Sequence, residues 1–386
     1  MRVKRGRLER EVAAGLKASP VTAILGPRQS GKTTLARRLA AVRRAHIFDL
    51  EVPDDATRLS DPVPALRRLT GLVVLDEIQR KPELFETLRA LADRRPLPCR
   101  FLILGSASPS LLRRTSESLA GRVRFVEMGG FTLEEAGAST AHRLWMRGGY
   151  PESFLAATEE GSWRWREDFI TTFLERDIPQ LEISIPAATL RRFWAMVAHY
   201  HGQVWNSSEV AGSLGVAHTT ARRYLDILEG AYMVHELPPW HGNSAKRVIK
   251  SPKVYLRDSG LLHTLLRLRT FRELEVHPKV GASWEGFAME QVLRRVGVRD
   301  AFFWATHAGA ELDLLVLGRG AKWGFEFKFR ESPAVTRSMR AAMEELDLAR
   351  LWVVHPGPRG YPLAKGIEAL PLAELDRAIA ATGAGR

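Results

Sequence analysis

Residues 21–34 have the sequence Val21-Thr-Ala-Ile-Leu25-Gly26-Pro27-Arg28-Gln29-Ser30-Gly31-Lys32-Thr33-Thr34, which joins a short apolar run to the phosphate-loop pattern G-x-x-x-x-G-K-[ST]. The glycines allow the loop to curl so that its N–H groups face phosphate oxygens, and the helix predicted from Lys32 adds its positive N-terminus. We therefore expect residues 26–34 to bind ATP, with Lys32 at the β- and γ-phosphates and Thr33 on Mg²⁺. The alternative is a glycine turn with an incidental lysine.

A second apolar run, Leu72-Val-Val-Leu75, ends in Asp76 and Glu77. A protein that hydrolyses ATP needs an acid that holds the metal and a carboxylate that polarises the attacking water. We expect Asp76 to take the first role and Glu77 the second, so the two motifs together favour hydrolysis over nucleotide storage. The alternative is an acidic turn after a core strand.

A third run, Phe101-Leu-Ile-Leu-Gly-Ser106, ends in a hydroxyl placed to contact the γ-phosphate or the water. Ser106 is the sensor candidate, and Ser108 is the second choice. Arg122 is a candidate to stabilise negative charge on the transferred phosphoryl group, in its own chain or in a neighbouring copy. Because arginine is abundant in this chain, a solvated or structurally paired arginine is the alternative.

Composition limits the class of protein. The chain has 386 residues, 45% of them hydrophobic and 26% charged, as expected for a globular protein of two or three domains. Its 57 Lys and Arg exceed its 44 Asp and Glu by 13, which favours contact with phosphate groups. Cys99 is the single cysteine, so neither an internal disulfide nor a cysteine-rich zinc site is expected. No run reaches the ~18 apolar residues of a membrane span, and we expect a cytoplasmic protein.

Changes of pattern divide the chain into three predicted domains. Residues 1–150 alternate short apolar runs with helical stretches, which is typical of the buried parallel strands of a P-loop ATPase domain. Residues 151–270 are helical and contain a winged helix-turn-helix pattern, and residues 271–386 return to an α/β pattern. The predicted fold class is therefore α/β.

Several motifs of the chain resemble a known family. They are Gly26-Pro-Arg-Gln, Gly31-Lys-Thr-Thr-Leu35, Leu75-Asp-Glu-Ile-Gln79, Leu119-Ala-Gly-Arg122, Gly148-Gly-Tyr-Pro151 and Leu174-Glu-Arg-Asp-Ile178. They are similar to motifs of the prokaryotic AAA-type ATPases that carry a C-terminal DUF4143 domain. The resemblance implies a P-loop fold in which a sensor strand lies between the phosphate-loop strand and the Asp76 strand. It also implies that Tyr150-Pro151 packs near the adenine, whereas the residues alone predict only a turn between domains.

The middle segment contains a candidate DNA-binding unit. Ser207–Leu214 predicts a short helix, and residues 218–229 predict a second helix that carries Thr219, Thr220, Arg222 and Arg223 largely outside its apolar face. Two predicted strands follow, and residues 241–257 hold five cations and no acid, namely Lys246, Arg247, Lys250, Lys253 and Arg257. Such a wing would contact DNA phosphates. The alternative is a winged helix that docks protein or senses nucleotide.

The C-terminal segment contains a second group of acids. Period-2 alternation puts Glu326 and Lys328 on one face of a predicted strand. With Asp313 they resemble the PD-(D/E)xK nuclease core, in which two carboxylates and a lysine hold Mg²⁺ and orient a water for phosphodiester attack. Glu285 matches the helix acid of that core, and Glu290 competes for the same position. A DNA-binding platform, an unrelated fold and a solvated ion pair are the alternatives.

The sequence therefore predicts a Mg²⁺-dependent ATPase whose nucleotide state moves a winged helix and a nuclease-like domain on duplex or branched DNA, with cleavage left open. The alternative is a nucleotide-driven switch that regulates a protein partner, in which the nuclease-like domain is inactive. The ATPase class also implies assembly into a homo-oligomer, because an arginine from a neighbouring copy can complete the site.

Overall fold

The computed structural model describes residues 3–106, 115, 117–180, 183, 185–241 and 249–384. The chain forms two compact units. The first contains Met1–Phe131 with Gly230–Met233, and the second contains Thr132–Glu229 with Val234–Arg386. None of the described helices combines the length and the apolar character that a bilayer crossing requires.

A five-stranded parallel sheet forms the centre of the first unit. Its strands are β1 (Val21–Gly26), β2 (Ala45–Asp49), β3 (Gly71–Asp76), β4 (Cys99–Ser106) and β5 (Val123–Glu127). The helices of this unit whose bounds the structure describes are α1 (Gly6–Ala18), α2 (Lys32–Ala41), α3 (Pro53–Arg58), α4 (Pro62–Arg67) and α5 (Leu84–Ala92), with a 3-10 turn at Ile78–Arg80. The strands are ordered β2-β3-β4-β1-β5, so β4 lies between the phosphate-loop strand and the Asp76 strand. This confirms the predicted P-loop ATPase fold.

Helices cover both faces of this sheet. On one face, Val12 of α1 and Leu35 of α2 pack with Ile24 of β1. On the other face, Leu66 of α4 and Leu88 of α5 belong to a second apolar cluster that includes strand residues. Because the central strands are buried on both sides, their sequences are nearly continuous apolar runs.

The second unit begins with helices and contains two sheets. The remaining helices are α6 (Leu133–Ala136), α7 (Ala141–Arg147), α8 (Pro151–Leu155), α9 (Glu159–Thr172), α10 (Ile178–Gln180), α11 (Ala187–Tyr200), α12 (Ser207–Leu214), α13 (His218–Gly230), α14 (Ser259–Leu265), α15 (Phe271–Glu275), α16 (Val280–Val296), α17 (Arg337–Glu345) and α18 (Leu375–Thr382). A π-helical turn at Phe173–Asp177 and 3-10 turns at Ala138–Thr140 and Leu372–Glu374 complete the helical elements.

The first sheet of this unit is three-stranded and antiparallel. It contains β6 (Gln203–Val204), β7 (Val234–Leu237) and β8 (Lys253–Leu256) in the order β6-β8-β7. Two of these strands, β7 and β8, lie where the sequence predicts the strands of a wing. β8 is the central strand, so its side chains pack within the fold and are buried.

The second sheet is six-stranded and mixed. Its strands are β9 (Ala301–Ala305), β10 (Glu311–Gly318), β11 (Ala321–Phe327), β12 (Leu348–His355), β13 (Tyr361–Ala364) and β14 (Ile367–Pro371), ordered β13-β14-β12-β11-β10-β9. α17 packs on this sheet through Met339, which joins an apolar cluster with Leu312 and Leu351. α16 contacts β10 and β11. The predicted α/β pattern of the C-terminal segment is confirmed.

Candidate functional site

The phosphate loop joins the carboxyl end of β1 to α2. Gly31 has φ +93° and Gln29 has φ +59°, so the loop enters the left-handed region twice. Gly26 has no room for a side chain, because a Cβ there would collide with the carbonyl oxygen of Met128. The glycine spacing of the motif is therefore required both by the turn and by the close approach of the chain that follows β5.

Side chains within the loop are held by local contacts. Ser30 Oγ donates to the carbonyl oxygen of Pro27 at 2.9 Å. Arg28 Nη2 lies 3.6 Å from Glu51 Oε1. Thr34, in the first turn of α2, is exposed.

Lys32 is 5% exposed, and its Nζ donates to the carbonyl oxygens of Gly26 and Pro27 at 3.0 and 2.7 Å. Burial lowers the pKa of Lys32 to about 8, although Glu77 and Asp76 act in the opposite direction. The ammonium group therefore lies inside the loop that the sequence assigns to the phosphates.

Thr33 and Asp76 meet at the carboxyl edge of the sheet. Thr33 Oγ1 donates to Asp76 Oδ2 at 2.7 Å, and Asp76 Oδ1 accepts from the N–H of Glu77 at 3.0 Å. Burial raises the pKa of Asp76, while the hydrogen bond from Thr33 lowers it. A hydroxyl and a carboxylate are the oxygen donors that Mg²⁺ takes in proteins. This pair therefore fits the metal that the P-loop fold implies.

Glu77 follows β3 in an uncommon backbone conformation. Its φ of +54° lies in the left-handed region, where a residue with a side chain is rarely found. Gln79 Nε2 donates to Glu77 Oε2. Because strained backbone is concentrated at functional sites, this conformation agrees with the predicted role of Glu77.

Arg5 contacts the loop and was not predicted from the sequence. It is buried, and its Nη1 donates to the carbonyl oxygens of Ser30 and Gly129, both at 3.0 Å. Its Nη2 donates to the carbonyl oxygen of Gly130 at 2.8 Å. Arg5 thereby joins the N-terminal segment, the phosphate loop and the chain after β5. No motif marks it, because the N-terminus contains several arginines.

The sensor and finger candidates lie at opposite edges of the sheet. Ser106 ends β4, and its backbone is in register with Gly26, so it lies at the edge of the phosphate loop. Ser108 lies outside the described residues. Arg122 precedes β5, and its carbonyl oxygen accepts from the N–H of Val21 at the start of β1.

The position of Arg122 separates it from the phosphates of its own chain. Its guanidinium pairs with Asp93, with Nε 2.6 Å from Oδ1. The six residues of β1 lie between Arg122 and the phosphate loop, a length of about 20 Å at 3.3 Å per residue. In its own chain Arg122 therefore fits the alternative of a structurally paired arginine, and its contact with phosphate bound by another copy stays a prediction.

The Gly148-Gly149-Tyr150-Pro151 motif lies inside the second unit. Gly148 has φ +76°, and a Cβ there would collide with the carboxylate of Asp258. Asp258 Oδ2 accepts from the N–H of Gly149 at 2.8 Å. Tyr150 is buried, and Pro151 is the first residue of α8. The motif is a turn fixed by Asp258, and the contact of Pro151 with adenine stays a prediction.

The predicted DNA-reading residues lie on α13. Thr219 and Arg223 are exposed, and Thr220 is half-buried. Arg222 instead donates from Nη1 and Nη2 to the carboxylate of Glu236 at 2.7 and 2.5 Å. Of the four predicted residues, Arg222 is therefore engaged in an ion pair with β7.

The cations of the predicted wing do not share one surface. Lys250 is exposed, and Lys246 and Arg247 lie outside the described residues. Lys253 is buried in β8, and Arg257 pairs with a buried glutamate at 3.3 Å. The expectation of five phosphate-tracking cations is therefore wrong for Lys253 and Arg257, because the central strand and its end turn these side chains into the fold.

Glu285, Asp313, Glu326 and Lys328 come together in the second unit. Lys328 Nζ lies 2.6 Å from Glu326 Oε1 and 3.7 Å from Asp313 Oδ2. Glu326 Oε2 accepts from the N–H of Asp313 at 3.4 Å. Burial and the nearby Asp313 raise the pKa of Glu285 to about 7 and that of Glu326 to about 8. The four residues form one electrostatic cluster on α16, β10 and the end of β11.

β8 adds two residues that sequence reasoning did not assign to this cluster. Tyr255 donates from its hydroxyl to Glu285 Oε1 at 2.6 Å, and Lys253 Nζ lies 3.5 Å from the same oxygen. Lys253 also pairs with Glu311. The available signal was the period-2 spacing of Lys253 and Tyr255, which puts both on one face of the strand.

The carboxylates of this cluster contact lysine ammonium groups, and the three carboxylates do not all lie close to one another. Within the described ranges, the one set of three acids whose oxygens lie within 4.8 Å of one another is Asp226, Glu229 and Glu236. Glu285, Asp313 and Glu326 do not meet that distance, and Lys328 lies between two of them. As folded, Asp313 and Glu326 contact the Lys328 ammonium, and the metal roles of Glu285, Asp313 and Glu326 stay a prediction.

Glu290 has a separate environment from Glu285. It pairs with Arg257 at 3.3 Å and with Arg294 at 3.0 Å. Burial acts to raise the pKa of Glu290, but the two arginines lower it overall. Of the two helix acids, Glu285 is therefore the one beside Asp313.

Comparison with protein families gives three consecutive matches. Residues 18–137 match a family described as AAA domain. Residues 139–272 and 280–375 match two domains of unknown function, DUF8612 and DUF4143.

Comparison with individual proteins gives relatives of nearly full length. Uncharacterized protein Rv2008c of Mycobacterium tuberculosis and Uncharacterized protein Mb2031c of Mycobacterium bovis are each 50% identical over 375 residues, which cover 97% of this chain and 85% of the relative. A solved structure, the Walker-type ATPase PABY2304 of Pyrococcus abyssi, aligns with a TM-score of 0.49 and 13% identity, covering 69% of this chain and 96% of that one.

Proposed function

The chain belongs to the family of AAA-domain proteins that carry a C-terminal DUF4143 domain, and we propose on this premise that it is a Mg²⁺-dependent ATPase directed at DNA. The observation that carries the ATPase proposal is the 2.7 Å hydrogen bond between Thr33 and Asp76 beside the loop that encloses Lys32. It joins the two separate motifs of an ATP-hydrolysing site at one edge of one sheet.

The residues of the first unit divide the chemical tasks. The Lys32 ammonium exchanges the carbonyl oxygens of Gly26 and Pro27 for phosphate oxygens, and the loop N–H groups bind the remaining phosphate charge. Thr33 and Asp76 would hold Mg²⁺, which when bound neutralises charge on the phosphates. Glu77 accepts a proton from, or orients, the attacking water.

A single substitution separates binding from turnover. Glu77→Gln should retain ATP but hydrolyse it at least about 100-fold more slowly, because general-base catalysis contributes 10²–10⁴-fold. Glu86→Gln, at an exposed position of α5, is the matched control and should keep the wild-type rate. Normal hydrolysis by the Glu77 variant would remove Glu77 from the mechanism.

The middle of the chain supports a winged helix as the DNA-contacting module. Its elements follow the order α11, β6, α12, α13, β7 and β8, with β8 between the other two strands. Thr219, Arg223 and Lys250 are exposed on these elements or on their connection. A recognition helix with exposed polar residues and a basic connection is the arrangement that reads a DNA groove.

Stimulation of the ATPase by DNA tests this part of the proposal. Duplex or branched DNA should raise the rate, and the effect should weaken as salt rises. Arg223→Ala with Lys250→Ala should reduce the stimulation, whereas Arg337→Ala with Arg340→Ala, at exposed positions of α17, should not. An ATPase rate that is indifferent to every DNA at low salt would favour the nucleotide-driven switch acting on a protein partner.

The Glu285–Asp313–Glu326 cluster supports a structural role within a nuclease-like domain. Lys253 contacts Glu285, and Lys328 contacts Asp313 and Glu326, so each acid has a cationic partner without a metal. Cleavage is therefore not part of the proposal. A Mg²⁺-dependent incision assay tests this, with Asp313→Ala as the control for any nuclease signal. Incision by the wild type that Asp313→Ala abolishes would assign the cluster to catalysis.

A further inference from the structure

Three Arg-Arg pairs precede three strands of the first sheet. Arg43-Arg44 precedes β2, Arg67-Arg68 precedes β3, and Arg94-Arg95 precedes β4. Because all strands of this sheet are parallel, their amino ends meet at one edge. The three pairs are therefore brought to the same edge by the topology, although they are far apart in sequence.

Backbone contacts connect these pairs into one row. The carbonyl oxygen of Arg44 accepts from the N–H of Leu72 at the start of β3, at 2.9 Å. Arg94 Nη1 donates to the carbonyl oxygen of Arg67 at 2.8 Å. We define the amino-edge arginine row as Arg44, Arg67, Arg68, Arg94 and Arg95.

The row is exposed and carries little opposing charge. Arg44, Arg67, Arg68 and Arg95 are exposed, and Arg94 is half-buried. Asp93 directly precedes Arg94 in the sequence, and its carboxylate pairs with Arg122. Four exposed arginines and one half-buried arginine therefore lie at one edge of the sheet.

We infer that the amino-edge arginine row binds the phosphate backbone of duplex DNA, at the edge of the ATPase sheet opposite to the nucleotide loop. Guanidinium groups donate to phosphate in a fixed, two-pronged geometry. Neighbouring strands are about 4.8 Å apart, and one strand of B-DNA carries a phosphate per ~3.4 Å of axis. Three neighbouring strands span about 10 Å, which is roughly three phosphate intervals along one DNA strand, so arginines that precede these strands can contact consecutive phosphates.

Two features favour DNA over an anionic membrane surface. Membrane-surface binding by a folded protein combines positive charge with inserted apolar side chains. Among the large apolar residues that are exposed in the described chain, those near the row are Val42 and Val63, whose short side chains offer little to insert into a bilayer. The guanidiniums of Arg94 and Arg95 are also oriented by bonds to backbone carbonyls, which suits a defined phosphate position.

The location of the row leaves ATP access free. The phosphate loop follows the carboxyl end of β1, and the row lies at the amino end of the same sheet. The inference rests on the proposed DNA-directed function for its partner, but it does not depend on hydrolysis or on the winged helix.

The salt dependence of DNA binding by the full chain tests the row. A fluorescent 20-bp duplex is titrated from 50 to 300 mM salt with wild type, with Arg44→Gln/Arg67→Gln/Arg68→Gln, and with a control of equal charge loss, Arg337→Gln/Arg340→Gln/Arg359→Gln. The three control positions are exposed in the second unit. Loss of three phosphate contacts should reduce the slope of log K against log[salt] by about 2–3 and weaken binding at 0.1 M salt at least ~30-fold. The control should change affinity by less than about 3-fold.

Each contrary result has a distinct meaning. If the row variant binds duplex with the wild-type slope and affinity, the row is not the DNA contact, although the DNA-directed function stands. If wild type does not bind duplex at 50 mM salt, both the DNA contact assigned to the row and the DNA-directed function are wrong. If wild type prefers vesicles with 30% phosphatidylserine to duplex, and the row variant loses that binding, the row is a membrane surface and the inference is overturned. Unchanged DNA-free ATPase rates in both variants exclude misfolding as the cause.

Discussion

Replacement of Arg5 by alanine should weaken both the stability of the first unit and its affinity for ATP. Arg5 donates three hydrogen bonds to backbone carbonyls, one of them in the phosphate loop and two in the chain after β5. Its guanidinium also lies 5.3 Å from the ring centroid of Phe131. The substitution removes every one of these contacts and leaves buried carbonyl oxygens without their charged donor.

The size of the loss follows from these bonds. A hydrogen bond to a charged group contributes about 1.5–3 kcal/mol, so three bonds set an upper limit near 9 kcal/mol. Two effects offset most of this loss. Water can bind the carbonyl oxygens that Arg5 leaves, and the variant no longer has the cost of burying a guanidinium group. We expect the free energy of unfolding to fall by about 3 kcal/mol, which lowers the melting temperature of a unit of this size by roughly 10 °C.

ATP affinity should fall with stability because Arg5 holds the Ser30 carbonyl in the loop. A loss of ~1.4 kcal/mol in positioning weakens binding about tenfold. Arg5→Lys should be intermediate, since one ammonium cannot reproduce the fixed fork of donors. The measurements are thermal unfolding and titration with a fluorescent ATP analogue. Arg10→Ala, at an exposed position of α1, which begins directly after Arg5, should change neither; if Arg5→Ala behaves like Arg10→Ala, Arg5 does not position the loop.

Three further predictions concern the second unit. Gly148→Ala should lower its melting temperature by 10 °C or more, because the added Cβ collides with Asp258 and φ is +76°; unchanged melting would show that this turn can relax. His201 and His263 are fully buried, and burial lowers the pKa of each to about 3. Because an unfolded histidine takes up a proton near pH 6.5, stability that is present at pH 7 should be lost as the pH falls, by ~2 kcal/mol per histidine at pH 5; equal denaturation midpoints at pH 7 and 5 would contradict this. Lys253→Met should destabilise the unit by about 3 kcal/mol, because it leaves the Glu285 and Glu311 carboxylates without their buried cation; a much smaller loss in denaturation at fixed pH would contradict this.

The geometry of the phosphate loop was predictable because it is encoded locally. The glycines, Lys32 and Thr33 lie within eight consecutive residues, and an apolar run that ends in two acids marks β3. Chain topology then brings the two motifs to one edge without any further signal, since all five strands are parallel.

Contacts between distant residues were not predictable in this way. Arg5 reaches residues 25 and 124 positions further along the chain, and nothing in its own neighbourhood distinguishes it from Arg7 or Arg10. The choice between Glu285 and Glu290 depended on the phase of α16, which the sequence leaves open because that helix is buried over most of its length. The role of Lys253 depended on β8 being a central strand.

Charge counting was informative only after the fold was known. The excess of cations predicts contact with phosphate, but it does not say which cations are available. Arg222 and Lys253 are engaged in ion pairs, whereas Arg44, Arg67 and Arg68 are exposed at one sheet edge. Strand order, and not local sequence, determined which arginines form a surface.

The most direct test of the account is phosphate release by the purified chain supplied with ATP and Mg²⁺. The account predicts steady release of inorganic phosphate that Lys32→Ala abolishes by weakening nucleotide binding, while Lys17→Ala, at an exposed position of α1, leaves the rate unchanged. Failure of the wild type to retain ATP or release phosphate, or an equal rate in the Lys32 variant, would contradict the proposal that this loop binds and hydrolyses ATP.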